Sequence, residues 1–385
     1  MSEHAGAATK AGSWIAPMRR RSADEAHRAS TPLELLFDLV FVVAIAQVAS
    51  GLHHGISDAH PRESVVSFAQ VFFAIWWAWM NFTWFASAYD NDDVLYRLAV
   101  FVQLSGALIL AVGVPQAFDT NNFTIVTLGY IVMRLAMMAQ WLRVARSDAL
   151  GRTTAYRYII GFTIVQAGWV ALLFIPAELK PIGFLLLVIA ELLVPIWAER
   201  VVASSWHAAH IAERYGLFTI IVISESILSA SGAIQSAFQQ GDLHGNLATT
   251  IIGGLLIIFS MWWLYFDQPA DELLTSARPA FGWGYGHLLI FASAAAVGAG
   301  LAVNVDFATA HAKIGQFGAG AAVAIPVAIF LLSLWALHFR SRPTTNRLQL
   351  FAAPATALLV LLSPLSGRPA NRPAAQWAAH YQAVQ

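Results

Sequence analysis

Eleven stretches of about 20 residues, nearly free of charge, run through this chain and dictate what it can fold into. They cover 33–52, 65–88, 95–115, 121–143, 155–175, 179–199, 213–234, 247–266, 283–304, 316–338 and 348–366. At about 1.5 Å per residue, such a run crosses a hydrocarbon layer roughly 30 Å thick as a helix. Barrel strands would instead read as alternating segments of about 10 residues. With 58% hydrophobic and 11% charged residues, the 385-residue chain could not cover a soluble surface. A cytosolic enzyme, a disordered regulator and a nucleic-acid binder are thereby excluded. There is no cysteine, so disulfides, thiolate metal sites and cysteine nucleophiles are excluded too. The expected fold is all-α: a polytopic membrane helical bundle of about eleven transmembrane helices, with ten to twelve compatible with the runs.

Basic residues orient the bundle. Lys10, Arg19, Arg20, Arg21 and Arg28 precede the first run without the apolar region and cleavage site of a signal peptide. With that end in the cytoplasm and eleven crossings, 16 Lys and Arg lie inside and 5 outside, and Arg134 is left within a span. The expectation is a multi-pass protein of the cell inner membrane with a cytoplasmic N-terminus.

The chain also resembles itself. Residues 34–47 align with 213–226, Trp76-Trp77 with Trp262-Trp263, and Leu98–Val114 with Leu288–Val303. Equivalent spans are six crossings apart, so the copies share one orientation, as in a parallel duplication. The expected organisation is a disordered basic tail (1–30), a first five-helix repeat (31–178), a connector helix and loop (179–205), a second repeat (206–367) and a short polar tail (368–385).

Ionisable groups inside a span are costly and become functional candidates by default. Glu34 and Asp38 share a helix face at i and i+4, Asp38 about 8 Å inside the mouth. Arg134 lies about 13 Å deep and requires a carboxylate; Asp38, shallower, and Glu225, deeper, are both within a long side chain's reach in depth, and an Arg134–Asp38 pair is the first expectation. Glu225, flanked by Ser224, Ser226 and Ser229, is a proton- or cation-binding candidate, and Glu191 and His287 complete the buried set. Glu34 and Glu213, at the mouths of their runs, are first of all helix-capping groups. The acidic loops Asp90–Asp93 and Asp267–Glu272 read as solvated helix ends. The His53, His54 and His60 group with Asp58, and the His207–His210 pair, have no recognised metal spacing. Nucleotide, hydrolase, zinc and haem motifs are absent, so no cofactor, metal or enzyme activity is expected.

Two segments carry a family likeness. Arg-Ala-Ser-Thr-Pro-Leu-Glu-Leu-Leu-Phe-Asp-Leu-Val-Phe-Val (28–42) resembles the opening signature of the bacterial low temperature requirement A (LtrA) family. Glu213 to Ser226 resembles its second signature, with Ser224-Glu225-Ser226 where the family usually shows Gly-Glu-Ser. The resemblance implies a polytopic inner-membrane protein linked by name to growth in the cold, with no settled molecular activity. It also implies a shared set of Glu34, Phe37, Asp38, Glu213, Arg214, Gly216, Glu225 and Ser226.

The leading expectation is transport or conduction of a small solute, proton or cation. Its pathway draws on Glu34, Asp38, Arg134, Glu191, Glu213, Arg214, Glu225, Ser226 and His287. The alternative is a non-transporting module, a ligand or lipid sensor or an assembly partner, in which these residues are structural. The expected partners are the lipid bilayer and an unidentified solute or ion, with no nucleic acid; a homo-oligomer is compatible.

Overall fold

A computed structural model describes residues 14–22, 28–239, 246–267, 270–274, 276–340 and 347–366. These form eleven α-helices and no strand among the described residues. In chain order they are α1 (Pro32–Ser57), α2 (Pro61–Tyr89), α3 (Val94–Thr120), α4 (Thr124–Ser147), α5 (Arg152–Leu172), α6 (Lys180–Ala198), α7 (Ala208–Gln239), α8 (Asn246–Phe266), α9 (Ala277–Ala308), α10 (Gln316–Leu334) and α11 (Arg347–Leu362). Every expected span coincides with a helix. Among the described residues, nine helices are long and apolar enough to cross a membrane. The exceptions have local causes: α5 carries Arg152, Arg157, Thr163 and Gln166, and the last apolar segment is the shorter Phe351–Leu365.

Local chemistry sets the helix ends. Thr31 precedes Pro32, and its hydroxyl accepts from the Glu34 amide at 3.3 Å while the Glu34 carboxylate accepts from the Thr31 amide at 2.8 Å. This is a reciprocal capping box with proline in the first turn, where its missing N–H costs nothing. The Asp93 carboxylate opens α3 by accepting from the Tyr96 amide at 2.7 Å. Helix α7 begins before its apolar run, at Ala208, with the His207 ring nitrogen accepting from the His210 amide at 3.2 Å. Glu213 therefore lies in the second turn and does not cap α7. Its carboxylate instead accepts from the Ser30 amide at 3.3 Å.

The chain divides into two compact units, residues 1–48 with 70–221 and residues 49–69 with 222–385. The division runs through α1, α2 and α7 rather than between helices. In the first unit α3 and α4 touch backbone to backbone: a Cβ on Gly129 would lie 2.4 Å from the Leu110 nitrogen. Only glycine permits that approach. In the second unit α9 and α10 meet in the same manner, a Cβ on Gly300 falling 2.1 Å from the Ala322 carbonyl oxygen. The paired tryptophans differ between the units. Trp76 and Trp77 are fully buried, whereas Trp262 and Trp263 are 47% and 68% exposed.

Part of the basic N-terminal segment is described. Residues 14–22 lie extended over the helix ends of the first unit, with Met18 buried. Backbone pairing accounts for this, since the Arg21 amide donates to Ala88 O at 3.0 Å and the Ala16 amide to Asp93 at 2.7 Å. The expected tail 368–385 lies outside the described residues.

Candidate functional site

Helix α2 supplies the aromatic floor of the site. Trp79 stacks on Phe218 of α7 with ring centres 4.1 Å apart, and Phe82 stacks on Phe37 of α1 at 3.9 Å. Trp84 donates to the Tyr215 hydroxyl at 3.0 Å. These contacts bring the first turns of α1 and α7 together with their polar residues facing one another. Arg214 donates to Asp38 Oδ1 at 2.5 Å and lies 3.5 Å from Glu34 Oε1, and His210 Nε2 is 3.2 Å from the same Glu34 oxygen. Acids four residues apart on α1 thus meet bases four residues apart on α7, which requires the two helices to run in the same direction here.

All four side chains are buried. Trp79 Nε1 also donates to Asp38 Oδ1, at 2.7 Å. The other oxygen, Oδ2, accepts no hydrogen bond from any described residue, and Arg214 Nε and Nη1 and His210 Nδ1 likewise make none. Thr83 lies 3.5 Å from Arg214 Nη2. Between α1 and α7 the Glu34 and Asp38 carboxyl groups face the Arg214 guanidinium and the His210 ring.

The N-terminal segment adds the outer layer. Arg28, itself buried, donates to the Ser87 and Ala86 carbonyls and lies 3.8 Å from both Glu34 and Asp90. Burial and the charge of Arg21 draw the Arg28 guanidinium below its ordinary pKa, against the pull of Glu34 and Asp90. Asp90 is pushed up to about 6 by burial and by the Glu34 carboxylate, and the Arg28 and Arg21 guanidiniums oppose the rise.

A second buried pair joins α4 to α6. Arg134 donates to Glu191 Oε2 at 2.7 Å and to the Tyr130 hydroxyl at 2.5 Å, and its guanidinium lies 4.2 Å above the Phe162 ring. Glu191 further accepts from Trp77 at 2.7 Å, Tyr130 at 3.1 Å and Trp169 at 3.1 Å. Both of its oxygens are satisfied and the two charges cancel.

With this geometry in place, the two sequence signatures acquire a structural meaning: the first supplies Glu34 and Asp38, the second supplies Arg214, and His210 joins them from just before the second. Residues 29–378 match the family described as bacterial low temperature requirement A protein, LtrA. The chain belongs to that family. It is also 26% identical over 344 residues to "Uncharacterized protein RA0937" of Rhizobium meliloti (strain 1021), covering 84% of this chain and 80% of that protein. No solved structure matches it.

In this LtrA protein the expected Arg134–Asp38 pair does not form. Asp38 is held by Arg214, and Arg134 finds its counter-ion in Glu191 at a matching depth along α6. Depth was the wrong guide, because the helix carrying Asp38 packs against α7, whereas Glu191 is also the nearer acid in sequence, 57 residues away. Glu225, Ser226 and His287 belong to the second unit. Glu225 accepts from the Ser229 hydroxyl at 3.2 Å, while the Ser226 hydroxyl donates to Ala294 O at 2.8 Å rather than to Glu225. His287 pairs with the Tyr265 hydroxyl at 3.1 Å and with the Trp283 carbonyl at 2.8 Å. His210, Arg28 and Asp90 were absent from the expected pathway. The signal for His210 was its i, i+4 spacing to Arg214, which mirrors Glu34 and Asp38.

Proposed function

We propose that this LtrA protein is a membrane transport protein that carries protons or a small cation through the cluster of Glu34, Asp38, His210 and Arg214. The observation that carries the reading is the unsaturated state of the buried Asp38–Arg214 pair: Asp38 Oδ2 and Arg214 Nε lack hydrogen-bond partners among the described residues. A buried polar atom without a partner is costly, and a proton or cation bound at the open carboxylate oxygen would relieve that cost. In this reading all eleven helices cross the inner membrane, the N-terminus is cytoplasmic, and two parallel five-helix repeats are joined by α6. The parallel approach of α1 and α7 and the glycine-mediated α3–α4 and α9–α10 crossings support that arrangement.

The test is proton or cation flux in vesicles reconstituted with the full chain. Asp38→Asn keeps Oδ1 as an acceptor but removes the charge, so flux is lost while the protein stays folded. Unchanged flux would overturn the assignment. The Arg134–Glu191 pair favours the alternative for its own part of the molecule, since a saturated, neutral pair suits a structural role. If the whole protein were such a module, Asp38→Asn would lower stability and the wild type would carry no flux.

A further inference from the structure

The segment 14–22 is tied down at one end by charge and left apolar and exposed at the other. Arg20 donates to Asp148 at 3.3 Å and to Ala203 O at 3.1 Å, and Arg21 lies 3.5 Å from Asp90. Asn91 donates to Ala16 O at 3.1 Å, Arg143 donates to the same carbonyl at 3.3 Å, and Arg143 also pairs with Asp93. The segment therefore spans the ends of α2, α3 and α4 and the loop before α7, and Arg21 connects it through Asp90 and Arg28 to Glu34 of the buried cluster. Its first described residues behave differently. Trp14 and Ile15 are 77% and 68% exposed, and Arg19 is exposed beside them.

The position of this apolar end specifies what covers it. The Leu95 amide donates to Trp14 O at 3.3 Å, which fixes Trp14 at the first turn of α3. From that turn the exposed face of α3 continues through Leu98, Phe101, Val102, Leu108 and Val112. An apolar stripe of this length on a membrane helix faces lipid. Trp14 and Ile15 extend the stripe by one step, to the depth at which tryptophan is enriched at membrane interfaces. Arg19 adds the charge that suits anionic headgroups.

We infer that residues 14–22 form a latch across the cytoplasmic mouth of the first unit, docked through Trp14 and Ile15 into the lipid interface beside α3. The inference is independent of what passes through the site. It assigns a lipid partner to a segment whose charge alone would leave it in the cytoplasm.

The absence of native cysteine makes the test direct. Nitroxide labels placed at Ile15→Cys, Leu98→Cys and Ser22→Cys in the full chain are examined in vesicles of phosphatidylcholine and phosphatidylglycerol. Collision with oxygen and with a water-soluble nickel chelate reports depth. The label at 15 should be relaxed more by oxygen than by nickel, like that at 98, and the label at 22 should show the reverse. A label at 15 that follows the one at 22 would overturn the docking. For the latch, the readout is the rate at which a water-soluble maleimide modifies Thr83→Cys, beside Arg214. Adding Trp14→Ser and Ile15→Ser should raise that rate severalfold, and an unchanged rate in a folded protein overturns the latch. Neither measurement depends on flux, so failure of the transport reading leaves both interpretable.

Discussion

The two buried ion clusters of the first unit are made from the same residue types and are finished differently. Around Glu191, four donors from α2, α4 and α5 occupy both oxygens, and Arg134 returns a full counter-charge. Around Asp38, two donors share one oxygen and the other has none among the described residues, and a nearby acid, Glu34, competes for the same guanidinium. The first cluster is closed and the second is open. Burying charge in a bilayer is costly in both cases, and saturation reduces that cost to what a structural role requires. The open cluster retains the cost, and the proposed exchange of a proton or an ion is assigned to it for that reason.

The largest effect should come from breaking the closed cluster. Glu191→Leu leaves the Arg134 charge buried without its partner and should cost about 3–5 kcal/mol, read as thermal stability in detergent. Replacing both residues with apolar side chains should recover most of that loss, because no unpaired charge remains. Asp38→Asn should cost less, about 1–3 kcal/mol, because the asparagine oxygen can still accept from Trp79 and Arg214. If Asp38→Asn proved as damaging to stability as Glu191→Leu, the contrast between the clusters would collapse.

A pH experiment sharpens the same contrast at the rim. Asp90 carries a folded pKa of about 6, raised by burial and by Glu34. Its unfolded value is near 4. The folded state therefore binds this proton more tightly, and its contribution to stability is fully present below pH ~4 and lost as pH rises through about 6. Asp90→Asn should remove that slope between about pH 4 and 6, a difference of up to about 3 kcal/mol between the two titrations. Parallel stability curves for the wild type and Asp90→Asn across this window would exclude Asp90 as part of the open cluster.

The helices were legible in the sequence because a span of apolar residues permits little else in a bilayer; each of the eleven expected runs became a helix. The partners within the bundle were harder to read. Depth pointed Arg134 to Asp38, yet depth does not report which helices touch. Residues 38 and 214 are far apart in sequence, and only the packing of α1 on α7 through Trp79, Phe82 and Phe218 joins them. One clue was present, the matched four-residue spacing of Glu34 with Asp38 and of His210 with Arg214. The beginning of α7 was misplaced because its first turn is built from Ala208, Ala209 and Ala212, good helix formers that do not lengthen an apolar run. Asp90 was read as a solvated loop acid because nothing local reveals that Arg28 buries it.

The smallest expected effect separates stability from function most cleanly. Thr31 holds the Glu34 carboxylate through its amide at 2.8 Å and its hydroxyl at 3.1 Å, both to Oε2, which leaves Oε1 turned toward His210 and Arg214. One carboxylate thus serves as helix cap through Oε2, which also lies 3.4 Å from His210 Nε2, and faces the cluster's charged groups through Oε1. Thr31→Ala deletes the hydroxyl and should cost about 1 kcal/mol of helix stability, the usual size of a lost cap. Thr31→Ser keeps the hydroxyl and should cost little. If Glu34 acts only as a cap, the alanine variant loses that stability and its flux per folded molecule is unchanged. If Glu34 belongs to the open cluster, loosening Oε2 frees the carboxylate to rotate away from His210. Flux then falls further than the stability loss accounts for, and serine restores both. The ratio of the two losses, measured in the same vesicles, decides between a helix end that happens to lie near a site and a helix end that is part of one.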